Sequence, residues 1–448
     1  MLEVSEALDR LTAAIATART RGADAADAIY VGDGSTSVHM RLGALEDVGR
    51  SEGEEIGLRL FVGSRSASVS TSDLSKAALD ALVDRAVAMA REAPEDPYAG
   101  LAPEDRLLKG PAPDLDLADG GEPAPERLRE MALACEDAAR AISGVTNSEG
   151  ASASGGRATI ALATSTGFAG GYATTSYGIS ASVIAGQGGG MQRDYAYHQA
   201  RHLVDLEAAE AVGKRAGERA IKRLNPVKIK SGAMPVVFDP RVGSGLIGYL
   251  IGAITGAAIA RRTSFLLDAL GKPVFAKGIV IRDDPHRLRG LRSKPFDGEG
   301  LPTAAQAIVD DGVLKTWLME TASARQLGLQ PTGHATRGVG GAPGASLTNV
   351  HLEPGTQTPE ALMADITHGI YVTELIGHGV NGVTGDYSRG ASGYLIENGK
   401  LGPAVAEITI AGNLKDMYLN LTPASDLEFR RGIDVPTLRI DGMTVAGA

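Results

Sequence analysis

A single cysteine, Cys135, stands among 448 residues. No disulfide can form within the chain, which fits a reducing compartment. Cys135 lies in MALACEDAAR, an alanine-rich helical stretch followed by acidic residues. Such neighbours oppose a thiolate, so Cys135 reads as a buried structural residue and not a nucleophile. Aromatic residues are also scarce, at 4%. With 58 glycines and abundant alanine, the cores must be built from Ala, Leu, Ile and Val, with close backbone approach at glycine. Positive charge is not in excess either. A net charge of −10 argues against nucleic acid as the main partner, because phosphate binding needs a basic surface. The first residues, MLEVSEALDRLTAAIATARTR, lack a basic segment leading into an apolar core. They read as an amphipathic helix, no signal peptide is seen, and a cytoplasmic location is expected.

Familiar catalytic signatures are missing as well. None of the eight histidines sits in His-Glu-x-x-His. The nearest metal-like spacing is His198-Gln-Ala-Arg-His202, but a strand running into a helix start suits QRDYAYHQAR better than one helix face. The glycine-rich loops at 186–190, 338–344 and 379–390 fit neither a phosphate loop nor a dinucleotide fingerprint. No serine lies in a G-x-S-x-G elbow. Asp283, Asp284, Asp297 and Glu299 alternate with Arg and Lys in a Pro- and Gly-containing stretch that reads as a solvated turn. Glu374 and His378, with Asp386 in the next glycine-rich turn, could form an acid–base couple, although YVTELIG reads as a strand.

What is present is a mixed pattern of helices and strands without βαβ regularity, so the fold class is α+β. Residues 1–93 form a first α+β unit, with a helix at SKAALDALVDRAVAMAREA opened by Asp73 or Ser75. Residues 94–123, rich in Pro, Asp and Gly, read as a linker or surface loop. A second α+β unit covers 124–224, from helix 124–141 to a charged helix over 203–223. Residues 225–448 are strand-rich, with one buried central helix over 241–260 and a helical stretch near 358–369. The central helix, VGSGLIGYLIGAITGAAIA, is uncharged for about a bilayer span at ~1.5 Å per residue. It stands alone between polar, strand-like flanks, so a buried helix close-packed at Gly248, Gly252 and Gly256 is expected, not a membrane span.

From about Leu45 onward the chain resembles the TldD/PmbA family, in its PmbA (TldE) branch. The resemblance is carried by GLRLFVGSRSASVSTSDLS, IGAITGAAIARRTSFL, RGLRSKPFDGEG, GVLKTWLMETASARQLGL, VTELIGHGVNGVTGDYSRGASGYLIENGK, EITIAGNLKDMY and PTLRIDGMTVAG. It implies a metalloprotease subunit acting with a TldD-type partner on unfolded or extended peptides, including peptide antibiotics and antitoxins. TldD-type members carry His-Glu-x-x-x-His on the apolar helix and a cysteine ligand near the C-terminus. The matching positions here are Gly248, Tyr249 and Ala253, and DLEFRRGIDVPTLRIDG contains no cysteine. Zinc is therefore expected in the partner and no metal in this chain, which would complete the shared cavity. A self-sufficient peptidase using Glu374, His378 and Asp386, or a homodimeric peptide-binding scaffold, are the alternatives.

Overall fold

The computed structural model describes residues 1–447. Helix α1 (Val4–Thr20) places Ala7, Leu11, Ala14, Ile15 and Ala18 on its buried side, the three-to-four spacing of one helical face. Strands β1 (Ala25–Arg41), β2 (Ala44–Val62) and β3 (Arg65–Thr71) follow, then α2 (Lys76–Glu92), whose first turn is capped by Ser75 accepting from Ala78 N. Helix α3 (Pro125–Arg140), strands β4 (Val145–Thr164), β5 (Ala169–Ala185) and β6 (Gln192–Ala200), and α4 (Ala209–Lys222) complete this half. All six strands form one sheet, in the order β3-β2-β1-β4-β5-β6. The joint is β1 against β4, antiparallel from Asp27↔Thr164 to Met40↔Ala151.

Alternation along β1 explains the packing. Ala26, Ala28 and Tyr30 meet α1 and α2, while Val38 and Met40, on the same face, meet α3 and α4. Helices α3 and α4 touch closely, because a Cβ at Gly213 would lie 1.9 Å from the Cys135 carbonyl oxygen. On the other face, Ile29 and Leu162 join Phe168, Phe296 and Leu301 at the seam with the C-terminal half. Residues 93–124 contain no strand, yet Leu101, Ala102, Leu107, Leu115 and Leu117 are buried. Part of this segment packs into the same seam, where Leu108 N donates to Gly300 O.

The C-terminal half is strand-rich. Strand β7 (Gly232–Phe238) lies between strands His368–Ile376 and Leu438–Ala446. Strands Asp386–Glu397 and Lys400–Asn413 continue the sheet, and pairing of Thr409–Ala411 with Thr444–Ala446 closes it into a barrel. A smaller five-stranded sheet is built from short strands between residues 281 and 434.

Helix α5 (Pro240–Ala253) is opened by Asp239, whose carboxylate accepts from Arg241 N at 2.9 Å, with Pro240 in the first turn. The expected continuous helix over 241–260 is instead two. The chain breaks at Ile254 and Thr255, and Thr255 caps α6 (Gly256–Ala260) by accepting from Ala258 N. Gly256 N donates to Leu318 O at 2.7 Å, which pulls the backbone out of α5. No helix among the described residues is long and apolar enough to cross a membrane. Two further boundaries differ from expectation. The charged helix begins at Ala209, after a short turn at Leu203–Asp205. The helix near 358–369 is only Pro359–Met363, because Ile370 and Val372 belong to a central barrel strand.

Candidate functional site on the open face of α5

Helix α5 has two unlike faces. Gly243, Leu246, Ile247, Leu250 and Ile251 are buried in the core, and Tyr418 Oη donates to Leu246 O at 2.7 Å. Gly245, Gly248 and Gly252 are exposed, and a Cβ on any of them would meet nothing within 4 Å. The expected packing at Gly248 and Gly252 is therefore corrected: of the three residues in that spacing, only Gly256 is tightly enclosed, with Ser323 Oγ 2.2 Å from its would-be Cβ. Exposed glycines inside a helix cost ~0.8–1.0 kcal/mol each relative to alanine. At the edge of this bare track, Tyr249 is half-buried and accepts from Arg389 Nη1 at 2.6 Å. Arg389 Nε also donates to Ile376 O at 3.2 Å, tying α5 to the loop that follows strand His368–Ile376. Ile376 and Val383 in this region are more than half exposed.

Zinc does not fit the motif-matching positions. Gly248 offers no side chain, the Tyr249 hydroxyl is engaged by a guanidinium, and Ala253 presents a buried methyl. Among the described residues, no group of three or more His, Cys, Asp or Glu is arranged to hold a metal.

No hydrogen bond or ion pair among the described residues joins Glu374, His378 and Asp386. Glu374 is ion-paired with Arg223, and Arg193 Nη2 lies 3.6 Å away. Arg223 and Arg241 share the buried Asp194, at 3.6 and 2.8 Å, so Glu374 belongs to an ionic seam between the two halves. His378 is exposed in the loop. Asp386 accepts from Thr384 Oγ1 at 2.6 Å and Asn413 Nδ2 at 3.1 Å. Of the spaced histidines, His198 lies on β6 and accepts from Glu207 N, while His202 donates to Asp116 O.

Three of the four acids around 283–299 are not solvated, while Asp284 is half-buried. Asp283, Asp297 and Glu299 are each at most 4% exposed. Asp297 accepts from the amides of Glu299, Leu301 and Ala335. Burial pushes the Asp283 and Asp297 carboxyls up to about 6 and Glu299 up to about 7. Glu299 accepts from Thr321 N and Oγ1, and Asp283 from Thr348 N and Oγ1, so the Pro and Gly content does not mark exposure.

The PmbA/TldA metallopeptidase models match over three stretches: domain 1 at 26–90, the central domain at 119–224 and the C-terminal domain at 231–447. The chain belongs to this PmbA/TldD metallopeptidase family. It is 39% identical to Metalloprotease PmbA of Escherichia coli O157:H7, over 97% of this chain and 94% of that protein. A Haemophilus influenzae Metalloprotease TldD homolog is 27% identical over 52% of each chain. Among solved structures, TldE from Thermococcus kodakarensis superimposes with a TM-score of 0.87 at 20% identity, covering 98% of this chain and all of that one. A candidate modulator of DNA gyrase from Bacteroides thetaiotaomicron gives 0.90 at 29% identity, covering 98% of both chains.

Proposed function

We propose that this chain is the non-catalytic, TldE-type subunit of a cytoplasmic two-chain metalloprotease that degrades or trims extended peptides, the zinc being held by a TldD-type partner. The observation that carries this reading is the open face of α5. Where the family resemblance puts the zinc motif, the helix offers bare backbone and no donor side chain. Three exposed glycines cost helix stability and give the isolated chain nothing in return. They suit a face that another backbone approaches, whether a partner's or a peptide's. Exposed Ile376 and Val383 beside that face suit a covered surface better than a solvated one.

The test is co-purification with a TldD-type chain, metal analysis and a peptide-cleavage assay. Expected are a mixed oligomer, zinc bound in proportion to the partner only, and cleavage that requires both chains. Cleavage by the partner at full rate alone, with no mixed oligomer by sizing, would overturn the assignment. So would tightly held zinc at one per molecule of this chain by itself.

A further inference from the structure

Strand β6 is an edge of its sheet, and its odd-numbered side chains form a face apart from the site above. Arg193, Tyr195 and Tyr197 are exposed, while Asp194 and Ala196 point into the structure. The two tyrosine rings stack at 6.3 Å with 16° between their planes. They form one wall of a cleft of about 320 Å³ between α4, the start of α5 and residues 426–431. That volume is at the small end of the ~300–1,000 Å³ typical of small-molecule sites.

Five arginines and three carboxylates line this cleft, and they are not all paired with one another. Its three carboxylates are all engaged: Asp239 caps α5, Asp426 accepts from Thr437 N and Oγ1 at 2.8 and 2.7 Å, and Glu428 accepts from Arg430 Nε at 2.6 Å. Arg215 pairs with Glu207 and Arg241 with Asp194. Two guanidiniums make no ion pair within 4 Å among the described residues, although Asp239 and Asp194 lie near Arg219 and Asp434 near Arg431. Arg219 Nη1 donates to Tyr195 O at 3.2 Å, and Arg431 Nε donates to Tyr197 Oη at 2.8 Å. Arg431 also lies 5.6 Å from the centre of the Tyr197 ring. Burial, and then the adjacent Arg241 charge, lowers the Arg219 guanidinium from its ordinary value, while the more weakly acting Asp239 and Asp194 oppose the shift, so a further anion would offset part of the cost.

We propose that this cleft binds the carboxylate of a short peptide segment, seated between Arg219 and Arg431, with the Tyr195–Tyr197 pair against the neighbouring side chain. Guanidinium forks match carboxylate geometry, and tyrosines give area at low entropic cost. Two guanidiniums outside any ion pair, flanked by acidic residues, suit one carboxylate and not a polyanion such as a nucleic-acid strand. That the carboxylate belongs to a peptide rests on the peptide-processing reading above.

The experiment uses the full chain alone, so its result is independent of partner assembly. Labelled pentapeptides without acidic side chains are titrated by fluorescence anisotropy, with a free C-terminus or a C-terminal amide, beside amidated peptides carrying one internal Glu. Binding of the free acid at least tenfold tighter than the neutral amide is expected. The Glu-containing amide then distinguishes the source: equal affinity means any carboxylate is taken, and no affinity means a chain terminus is required. Arg219→Gln with Arg431→Gln should weaken the free acid at least tenfold, at unchanged melting temperature. Equal binding of free acid and neutral amide would overturn the proposal, and this comparison needs no variant. So would absence of binding by every peptide, or tighter binding of a single-stranded oligonucleotide.

Discussion

Replacing Glu299 by Gln tests how the seam between the two halves responds to pH. Glu299 is 4% exposed, and its Oε2 accepts from Thr321 N at 2.8 Å and Thr321 Oγ1 at 2.7 Å. Burial is the largest influence on it, and it raises the carboxyl from 4.5 to about 7. Between those two pH values the folded chain holds a proton that the unfolded chain has released. Stability therefore falls as pH rises from about 4.5, and levels off above about 7. At ~1.4 kcal/mol per pH unit, the displacement corresponds to about 3 kcal/mol. Glutamine keeps an acceptor for both Thr321 donors and has no charge to bury. With ~2.1 cal/mol/K of unfolding entropy per residue, about 3 kcal/mol is roughly 3 °C for a chain of this length unfolding as one unit. Melting curves of parent and variant at pH 5, 6, 7 and 8 measure it. The variant should gain on the parent by about that amount between pH 5 and 8. Asp283, Asp297 and the other titrating groups are common to both proteins and largely cancel in the difference. Parallel pH profiles would refute the reasoning.

Gly248→Ala and Gly252→Ala should each stabilise the isolated chain by ~0.8–1.0 kcal/mol, because the added methyl meets open space; a lower melting temperature would show that this face is packed. Gly213→Ala should destabilise by ~1–3 kcal/mol, since its methyl would strike the Cys135 carbonyl; an unchanged melt would contradict that close contact. Burial, and secondarily Glu210, push the Cys135 thiol up to about 12. A thiol reagent at pH 8 should leave the native chain unmodified and titrate one thiol after denaturation. Arg223→Met leaves buried Asp194 with one partner fewer and Glu374 short of its nearest cation, and should cost ~3–5 kcal/mol by thermal or chemical unfolding.

The mixed fold and strand-rich second half were legible because alternation along β1 and the barrel strands is strong, and because α1 and α2 carry clean helical spacing. Glycine misled at α5. A GxxxGxxxG run looks the same whether another helix lies against it or nothing does, and only the surrounding strands decide which. The break at Thr255 left a local sign, a hydroxyl residue three positions before the amide it caps. Uninterrupted apolar character on both sides hid it. Leu115 and Leu117 alternate with aspartates, a two-residue period inside text that composition marks as linker. The buried carboxyls of RSKPFDGEG read as exposed because their partners are backbone amides of the same turn and groups at Thr321 and Ala335, which side-chain identity nearby does not display. The Arg–Tyr cleft had a signal in R-D-Y-A-Y, where period two puts one guanidinium and two rings on one side. Its other wall comes from residues 426–431, more than two hundred positions away.

The pairing of β1 with β4 also sets a schedule for synthesis. By the time Val62 has been made, β1 has β2 on one side, and its other edge is bare along the stretch later covered by Ala151–Thr164. About 100 further residues must emerge before that edge is filled, on the order of 5–20 s at elongation rates of ~5–20 residues/s. During that interval the nascent chain presents a long unpaired edge, the kind that pairs with neighbouring chains on the same message. Production of this protein should therefore depend on how fast residues 63–164 are translated: slowing that stretch would raise aggregation, and slowing any stretch after Thr164 would not.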